Sequence, residues 1–452
     1  MEVIKMKKTN KKVILAIILI SYFMILLDNS IIFTGTVKIA AELNLSQTTL
    51  SWVTNAYSLT FGGLLLLGGS IGDIIGRKRV FMIGLTVFAV GSLLVGLANS
   101  AVMIILARAF QGIGSAILAP TTLALLMDSF SGEARTRAIA AYGATAGIGA
   151  SIGLVIGGIF ASLLSWRDGF FINVPIAIIM IGLTVLFIPT TQATQAKRLD
   201  LIGALTSIIG MTALVYSLVG QQGRLLALLV AVVAIATFIW QEARTKQPMM
   251  PLCLFADCER LGGYIARFFY LGAMLSMWFL TPQIMQTHLG FTPLQVGIGF
   301  FPLTVVNFIV ALQVSKLTTR FGNTKLLIVG IATTAIGMGA LGFFSEQVGY
   351  ALGIAVPMIL MGIGQGLTLS PLTVAGVANT LPADAGAASG VVNMVHQIGG
   401  SIGMSFIVAV SATFKNGLTS YHVAMGLATV LLIGALLAVI GLILPTLKKE
   451  SE

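Results

Sequence analysis

A single acidic residue, Asp28, stands near the middle of an apolar stretch that covers residues 13–37. A charged side chain at the centre of a membrane helix costs about 2.5–3.5 kcal/mol on insertion scales, and such residues usually have a function. Apolar surroundings disfavour the ionised form of a carboxyl group, which lets it bind and release a proton. The residue therefore predicts a proton carrier, and a structural ion pair is the alternative interpretation.

A basic residue is expected at a similar depth. Arg108 lies in the apolar stretch 101–126, and Gln111 follows it by one helical turn. With a rise of 1.5 Å per residue, Asp28 and Arg108 both lie roughly 10–14 Å from the same membrane face, where they could meet or share a cavity. An arginine that pairs with Asp28 in one state and leaves it in another changes the proton affinity of the carboxylate. Asp28, Arg108 and Gln111 are therefore predicted to form a proton-coupling group.

The composition places these residues in a membrane protein. Of the 452 residues, 57% are hydrophobic and 9% are charged, whereas about 25% are charged in an ordinary soluble domain. So few charges exclude a soluble enzyme, a nucleic-acid-binding protein and a secreted disulfide-rich protein. A bilayer core requires about 20 apolar residues in a helix, so we predict an all-α integral membrane protein. Its fourteen expected spans are 13–37, 49–71, 80–98, 101–126, 138–160, 170–189, 201–220, 224–240, 262–285, 294–313, 325–344, 350–374, 387–411 and 422–447.

The basic residues predict the orientation of these spans. A cytoplasmic N-terminus places most of the 26 Lys and Arg residues on the cytoplasmic side, as positively charged loops prefer. Lys38, Arg167, Arg224 and Lys415 are the basic residues of the opposite side. One miscounted span would remove this asymmetry, so an even number of spans with both termini in the cytoplasm is expected.

The sequence also repeats itself. Three short segments recur later in the chain in the same order and at nearly the same separation, which predicts two related six-helix halves. This architecture is typical of transporters whose halves alternate around a site near the bilayer midplane. The paired segments are 112–114 with 362–364, 148–153 with 398–403, and 73–77 with the degenerate 319–323. The predicted units are a first six-helix bundle in 1–190, two inserted spans in 191–261, and a second six-helix bundle in 262–452.

A glycine-rich loop joins the second and third spans. Its glycines permit a tight turn, and an acid beside basic residues can form contacts that stabilise one state of a moving bundle. The predicted conformational latch consists of Gly69, Asp73, Gly76, Arg77 and Arg79.

These motifs resemble those of a known family. The loop 69–79 resembles motif A of the major facilitator superfamily. Arg108, Gln111, Gly112 and Gly114 resemble motif B, which includes a fourth-span arginine implicated in proton coupling. Segment 149–158 resembles motif C, the antiporter motif, with Leu154 where the family usually has proline. The glycines that carry this resemblance are Gly149, Gly153, Gly157 and Gly158.

The surroundings of Asp28 resemble the first span of the 14-span drug:proton antiporters, a branch to which Trp166, Arg167 and Asn173 are also similar. The resemblance implies the major facilitator fold, with two six-helix bundles and two additional helices, and multidrug efflux across the bacterial inner membrane. It also implies small lipophilic drugs and protons as partners, and a protein that works as a monomer.

A substrate pocket between the halves would draw on aromatic, amide and histidine side chains. Aromatic faces attract cations, and the scarcity of basic groups disfavours polyanions. Monocationic or zwitterionic drugs such as dyes, quaternary ammonium compounds and fluoroquinolones are therefore expected. The candidate substrate-binding residues are Trp52, Asn55, Tyr57, Trp278, Phe301, Asn307, Gln365 and His396.

Other functions fit the sequence less well. A proton-coupled permease for a metabolite, with the same fold, stays the main alternative. A membrane-embedded enzyme would need clustered catalytic groups, and a sensor would need a sizeable soluble domain. No nucleotide-binding loop of the Gly-x-x-x-x-Gly-Lys-Ser/Thr type is present, and no cofactor, metal site or nucleic-acid partner is predicted. Arg267, near the end of its span, is expected to extend towards the membrane surface.

Overall fold

The computed structural model describes residues 10–189, 200–220, 222–245, 248–381 and 384–446, with the side chains of Asp73, 146–148 and Ala150 outside that description. These residues form helices joined by short loops, and no strand occurs among them. The α-helices are α1 (Lys11–Glu42), α2 (Gln47–Ile75), α3 (Arg77–Gly96), α4 (Ala101–Ser129), α5 (Gly132–Leu163), α6 (Trp166–Phe171), α7 (Asn173–Phe187), α8 (Leu201–Val219), α9 (Arg224–Arg244), α10 (Cys258–Thr287), α11 (Pro293–Gly299), α12 (Phe301–Phe321), α13 (Asn323–Leu341), α14 (Val356–Gly376), α15 (Ala385–Ser411) and α16 (Gly417–Ala438).

Short irregular helices complete the chain. A 3₁₀-helix, Leu252–Phe255, precedes α10, and π-helical turns extend the start of α14 (Ala351–Ala355) and the end of α16 (Val439–Ile443). Each predicted span falls on one of the long helices or on a pair of consecutive helices such as α6 with α7. Thirteen helical segments of the described residues are long and apolar enough to cross a membrane, and α5 contributes the shorter apolar stretch Ser151–Leu163. The all-helical membrane fold is thus confirmed, whereas the number of fourteen spans stays a prediction.

The helices are apolar on their outer surfaces because the bilayer replaces water there. Leu225 and Leu226 of α9 are 83% and 66% exposed, and Ile178 of α7 is 64% exposed. Apolar side chains exposed over such an area would destabilise a soluble protein. In a membrane they face lipid chains, where their burial in the bilayer is favourable.

The contacts between helices fall mainly within α1–α7 and within α10–α16, with α8 and α9 between them in sequence, and we call these two sets of helices the halves. We use two names for the ends of this bundle. The Glu42 end is where α1 ends and α2 begins, and the Arg77 end is where α2 ends and α3 begins. α8 lies across the seam between α2 and α15, because Leu59, Val215 and Ile402 from these three helices belong to one hydrophobic cluster.

Glycines repeat their packing roles in the two halves. A Cβ atom on Gly112 of α4 would meet the carbonyl oxygen of Tyr57 in α2 at 2.5 Å, and one on Gly362 of α14 would meet that of Leu303, at the start of α12, also at 2.5 Å. The α2–α3 and α12–α13 joints also match, since Gly76 and Gly322 have φ values of 92° and 81°, which favour glycine. Equivalent helices therefore approach closely at equivalent positions.

Candidate functional site

The carboxylate of Asp28 lies inside the first half and forms an ion pair with Arg108. Asp28 is in the middle of α1, Arg108 is in α4, and both side chains are fully buried. Arg108 Nη1 donates to Asp28 Oδ2 at 2.5 Å. A buried ion pair survives only when the partners satisfy each other and the remaining polar atoms. The structure thus brings together two residues that are 80 positions apart in the chain.

Amide side chains complete the surroundings of the carboxylate. Gln111 Nε2 donates to Asp28 Oδ1 at 2.6 Å and to Ser92 Oγ at 2.6 Å. Asn173, at the start of α7, donates through Nδ2 to Ser92 Oγ at 3.0 Å and lies 3.4 Å from Asp28 Oδ1. Arg108 Nη1 also donates to Gln111 Oε1 at 2.7 Å. Both oxygens of Asp28 therefore accept hydrogen bonds in this state.

The guanidinium of Arg108 is held from its other side by α2. Its Nε donates to the carbonyl oxygen of Val53 at 3.1 Å, and its Cζ lies 4.1 Å from the centre of the Tyr57 ring. Tyr57 is itself fixed by a 2.7 Å hydrogen bond between its hydroxyl and Ser115 Oγ. Arg108 Nη2 is buried and has no hydrogen-bond partner. One donor of the guanidinium is thus unused while Asp28 is bound.

This arrangement can couple a proton to a change in packing. A carboxylate that accepts charge-assisted hydrogen bonds binds its partners much more strongly than the neutral acid does. Protonation of Asp28 would therefore weaken its bond to Arg108, and the free Nη2 donor would favour a new partner for the arginine. α1 and α4 are the helices whose relative position depends on this bond.

The glycines of α5 allow close packing against α1. Cβ atoms on Gly149, Gly153 and Gly157 would lie 2.7 Å from Leu26 Cδ1, 2.7 Å from Ser30 Oγ and 2.8 Å from Ile31 Cα, respectively. Spacings of four residues place these glycines on one face of the helix. Small residues at such spacing let membrane helices approach closely. α5 therefore packs directly beside the helix that carries Asp28.

The same helix contacts the second half near the Glu42 end. A Cβ atom on Gly158 would lie 2.7 Å from the carbonyl oxygen of Pro293, and one on Gly297 of α11 would lie 2.6 Å from that of Leu154. Leu154 is fully buried in this contact. The leucine that stands where motif C usually has proline thus lies directly in the interface between the halves.

All hydrogen bonds between described residues that join the two halves lie in the part of the bundle nearer the Glu42 end. The largest hydrophobic cluster also crosses between the halves there, from Ile31 and Val53 to Met274 and Phe300. The halves are therefore closed at this end. The four bonds are Gln47 Nε2 to Gln283 Oε1 (2.7 Å), Gln286 Nε2 to the Thr34 carbonyl (3.3 Å), Leu294 N to Ser162 Oγ (2.8 Å) and Asn55 Nδ2 to Ser405 Oγ (2.8 Å).

The predicted latch residues lie at the Arg77 end. Arg77 begins α3, and its Nη1 donates to Asp128 Oδ1 at 2.5 Å and to the Ala124 carbonyl at 3.2 Å. A Cβ atom on Gly69 would lie 3.7 Å from Pro120 Cβ, and Arg79 is exposed. The side chain of Asp73 lies outside the described part of the chain. Asp128, at the end of α4, is a partner that sequence reasoning did not find.

The predicted substrate-binding residues do not form one group. Trp52 packs beside Tyr216 of α8, with ring centres 6.2 Å apart, and Tyr57 is buried beneath Arg108 within the first half. Trp278 stacks on Phe300, with ring centres 5.0 Å apart. Asn307 of α12, Gln365 of α14 and His396 of α15 are half-buried, and Phe301 is 39% exposed. Asn55 joins α2 to α15, as given above.

Arg267 differs from its sequence-based prediction. Its side chain is only 6% exposed, so it does not extend to the membrane surface. Nη1 donates to Thr373 Oγ1 at 3.0 Å, and Nη2 lies 3.4 Å from His396 Nδ1. The partners stand more than 100 residues further along the chain, which is why the local sequence favoured the wrong interpretation.

The sequence model of the Major Facilitator Superfamily matches residues 18–404. The chain belongs to the Major Facilitator Superfamily. Solved structures of this fold are similar over nearly the whole chain. A transporter of the POT family in complex with a thioalcohol-conjugated peptide has a TM-score of 0.72 at 15% identity and covers 95% of both chains. A bacterial homologue of the lysosomal transporter Spinster has a TM-score of 0.68 at 15% identity, covering 97% of this chain and 98% of the other.

Relatives in this superfamily include drug exporters. The cephamycin export protein CmcT of Amycolatopsis lactamdurans is 34% identical over 95% of this chain and 92% of its own length. The puromycin resistance protein pur8 of Streptomyces alboniger is 33% identical over 91% and 83%. The multidrug resistance protein Stp of Mycobacterium tuberculosis is 31% identical over 88% and 76%. This superfamily member is thus a multi-pass protein of the bacterial cell membrane, and its relatives are transporters.

Sequence reasoning missed Ser92 of α3 and did not assign Asn173 of α7 to the Asp28 site. Ser92 Oγ accepts hydrogen bonds from Gln111 and Asn173, Asn173 Nδ2 lies 3.4 Å from Asp28 Oδ1, and both residues are fully buried. Their polarity inside apolar helices was an available signal, because a buried polar group requires a hydrogen-bond partner. Which partner they would find depended on the helix arrangement.

Proposed function

We propose that this protein is a proton-coupled antiporter that exports lipophilic drugs, mostly monocationic or zwitterionic, from the bacterial cytoplasm. Asp28 is the proton carrier in this proposal, and Arg108 and Gln111 set its proton affinity. The observation that supports it most is the sealed carboxylate, fully buried and bound by a partner from another helix. The export of cephamycin and the resistance to puromycin named for two relatives support the direction and the class of cargo.

The predicted orientation relates the described conformation to a step of the proposed transport cycle. With the Arg77 end in the cytoplasm, we take closure at the Glu42 end to seal the outer side, which is the state in which a transporter with alternating access accepts a drug from the cytoplasm. In the opposite state, the Glu42 end separates and Asp28 gains access to external protons. Protonation then weakens the bond to Arg108 and favours drug release outside.

The charge of the site fits a monovalent cargo. Among the acidic residues of α1–α7 and α10–α16 whose side chains the structure describes, which leaves out Asp73, Asp28 alone is buried. A single acid can balance either one proton or one positive charge. One proton that crosses 100 mV supplies about 2.3 kcal/mol, enough for roughly a fiftyfold concentration gradient of a neutral cargo.

Everted membrane vesicles test this function directly. Vesicles with an imposed pH gradient, acidic inside, should accumulate ethidium when they contain the parent protein. Asp28→Asn should abolish this uphill accumulation but retain downhill ethidium exchange, because the drug path stays while the proton carrier is lost. Asp384→Asn is the matched control, since it makes the same chemical change in a half-buried residue whose side chain does not cap its helix.

The proposal fails if ethidium accumulation is the same with Asn at position 28. Loss of both accumulation and exchange would instead indicate a damaged fold, and the amount of protein in the membrane separates that case. Proton-driven movement of the dye in the import direction would favour the alternative, a proton-coupled permease.

A further inference from the structure

Arg267 is a buried cation in the second half that has no acidic partner. It lies in α10, about nine residues from the Arg77 end, and no acidic side chain of the described residues forms an ion pair with it. Arg108 in the first half is neutralised by Asp28. Arg260, also in α10, donates instead to four backbone carbonyl groups. Arg267 therefore stands apart from the other two buried arginines.

The unused donors of Arg267 have the geometry that a carboxylate requires. Nε is buried and has no hydrogen-bond partner, and Nη2 has only the long 3.4 Å contact with His396. Nε and Nη2 form one edge of the planar guanidinium, and two parallel N–H groups on an edge bind both oxygens of a carboxylate. Nη1, on the other side, is fixed by Thr373. The side chain is thus held by Thr373, and its Nε donor has no acceptor among the described residues.

The cluster lies beside the interface between the halves and near exposed polar surface. Gln397, next to His396, packs against Gly62 of α2. Thr373 and Asn393 are exposed, and both lie nearer to the Arg77 end. A cargo that enters between the halves from this end would meet Arg267 after crossing these two polar residues.

A second unpaired group lies on the same helix as Thr373. Gln365 Oε1 is buried without a hydrogen-bond partner, and positions 365 and 373 are eight residues apart, on the same face of α14. This separation is about 12 Å along the axis. Since Thr373 binds Arg267, an acceptor about two helical turns from Thr373 on the same helix suits a cargo with an N–H donor at one end and a carboxylate at the other.

We propose that Arg267, positioned by Thr373 and His396, binds the carboxylate of zwitterionic or anionic amphiphilic cargo, while Gln365 accepts a hydrogen bond from the same molecule. This inference rests on the proposed drug export, and it names a substrate class within it. The carboxylate supplies the negative partner that Arg267 lacks among the described residues. A cationic cargo without a carboxylate would use the protein without this contact.

Rhodamine B and its ethyl ester test the inference, because the two dyes differ only in the free carboxylate. Binding to the full-length protein in detergent is measured by fluorescence anisotropy, and transport is measured in everted vesicles. Arg267→Gln should weaken rhodamine B binding by at least about tenfold, the loss expected for a charge-assisted hydrogen-bonded pair, and leave the ester unchanged. Arg267→Lys, which keeps the charge without the two-donor edge, should give an intermediate loss. Lys316→Gln makes the same charge change at an exposed position of α12 and is the control.

The dyes separate the possible outcomes. Equal losses for both dyes, or no loss for either, would overturn the carboxylate site. Weak binding of rhodamine B and tight binding of the ester by the parent protein would do so as well. If Arg267→Gln does not fold, Thr373→Val removes only the positioning bond and should also weaken rhodamine B selectively. Absence of proton-driven transport of the ester argues against the proposed antiport. The carboxylate site is tested independently by the difference between the two dyes in their binding to the parent and Arg267→Gln proteins.

Discussion

Replacing Gly297 by alanine is expected to shift the protein away from the state that is closed at the Glu42 end. Gly297 belongs to α11 in the second half and faces the backbone of α5 in the first half. A Cβ atom there would lie 2.6 Å from the Leu154 carbonyl oxygen and 3.3 Å from Val155 Cα. The nearest obstacle is backbone, which cannot rotate away as a flexible side chain can.

The size of the effect follows from this distance. Ordinary van der Waals contact begins near 3.4 Å, so the two helices must separate by nearly an ångström to admit the methyl group. Overpacking of this kind costs about 1–3 kcal/mol. The cost applies only while the Glu42 end is closed, so the ratio of open to closed protein should rise about 5–150-fold.

Distances between spin labels at the Glu42 end measure this ratio. Ala41→Cys and Thr287→Cys place labels on exposed ends of α1 and α10. Because Cys253 and Cys258 are exposed, both are first replaced by serine. Gly182→Ala is the matched control, since a Cβ atom there meets nothing within 4 Å.

The labelled Gly297→Ala protein should show a larger long-distance population than the parent, and the Gly182→Ala protein should not. Identical distance distributions in all three proteins would refute the reasoning. They would mean that α5 and α11 tolerate the methyl group, or that their contact does not determine closure.

Two further substitutions test other contacts. Asp128→Asn weakens the bond to Arg77, and because this pair is partly exposed the loss of stability should be at most about 1 kcal/mol. Ethidium transport should slow if the contact stabilises one state, and an unchanged rate would argue against a latch there. Glu242→Gln should increase the free energy of unfolding by about 1 kcal/mol and so raise the unfolding temperature. The reason is that one buried oxygen of Glu242 and one of Asp200 both lie close to Gly203 and have no hydrogen-bond partners. A lower unfolding temperature would show that the negative charge is needed.

The helices were predictable because the bilayer imposes one strong requirement on the sequence. Runs of apolar residues near 20 in length have no other stable role, so each predicted span falls on helix. Breaks within spans were harder to foresee. A capping box at Ser165 begins α6 four residues before the predicted span at 170, and the α-helix is interrupted at Ile172, between α6 and α7; the apolar pattern reveals neither feature.

The candidate site was predictable only in part. Asp28 and Arg108 were recognisable because each charge costs free energy in an apolar helix and must be compensated. Their contact could be expected from depth alone, but the orientation that also brings in Asn173 depends on how four helices pack. Arg267 shows the limit clearly, since its partners come from α14 and α15 and leave no trace in its own segment.

The position of α8 affects where lipophilic compounds could reach the interface between the halves from the membrane. Two seams separate the halves, and α8 covers the one between α2 and α15. The other seam, formed by α5 with α11 and α12, has no comparable helix over it among the described residues. In the proposed exporter, a compound dissolved in the membrane would thus approach the interface between the halves from the α5 side, so the two added helices make the carrier unequal on its two lipid-facing sides.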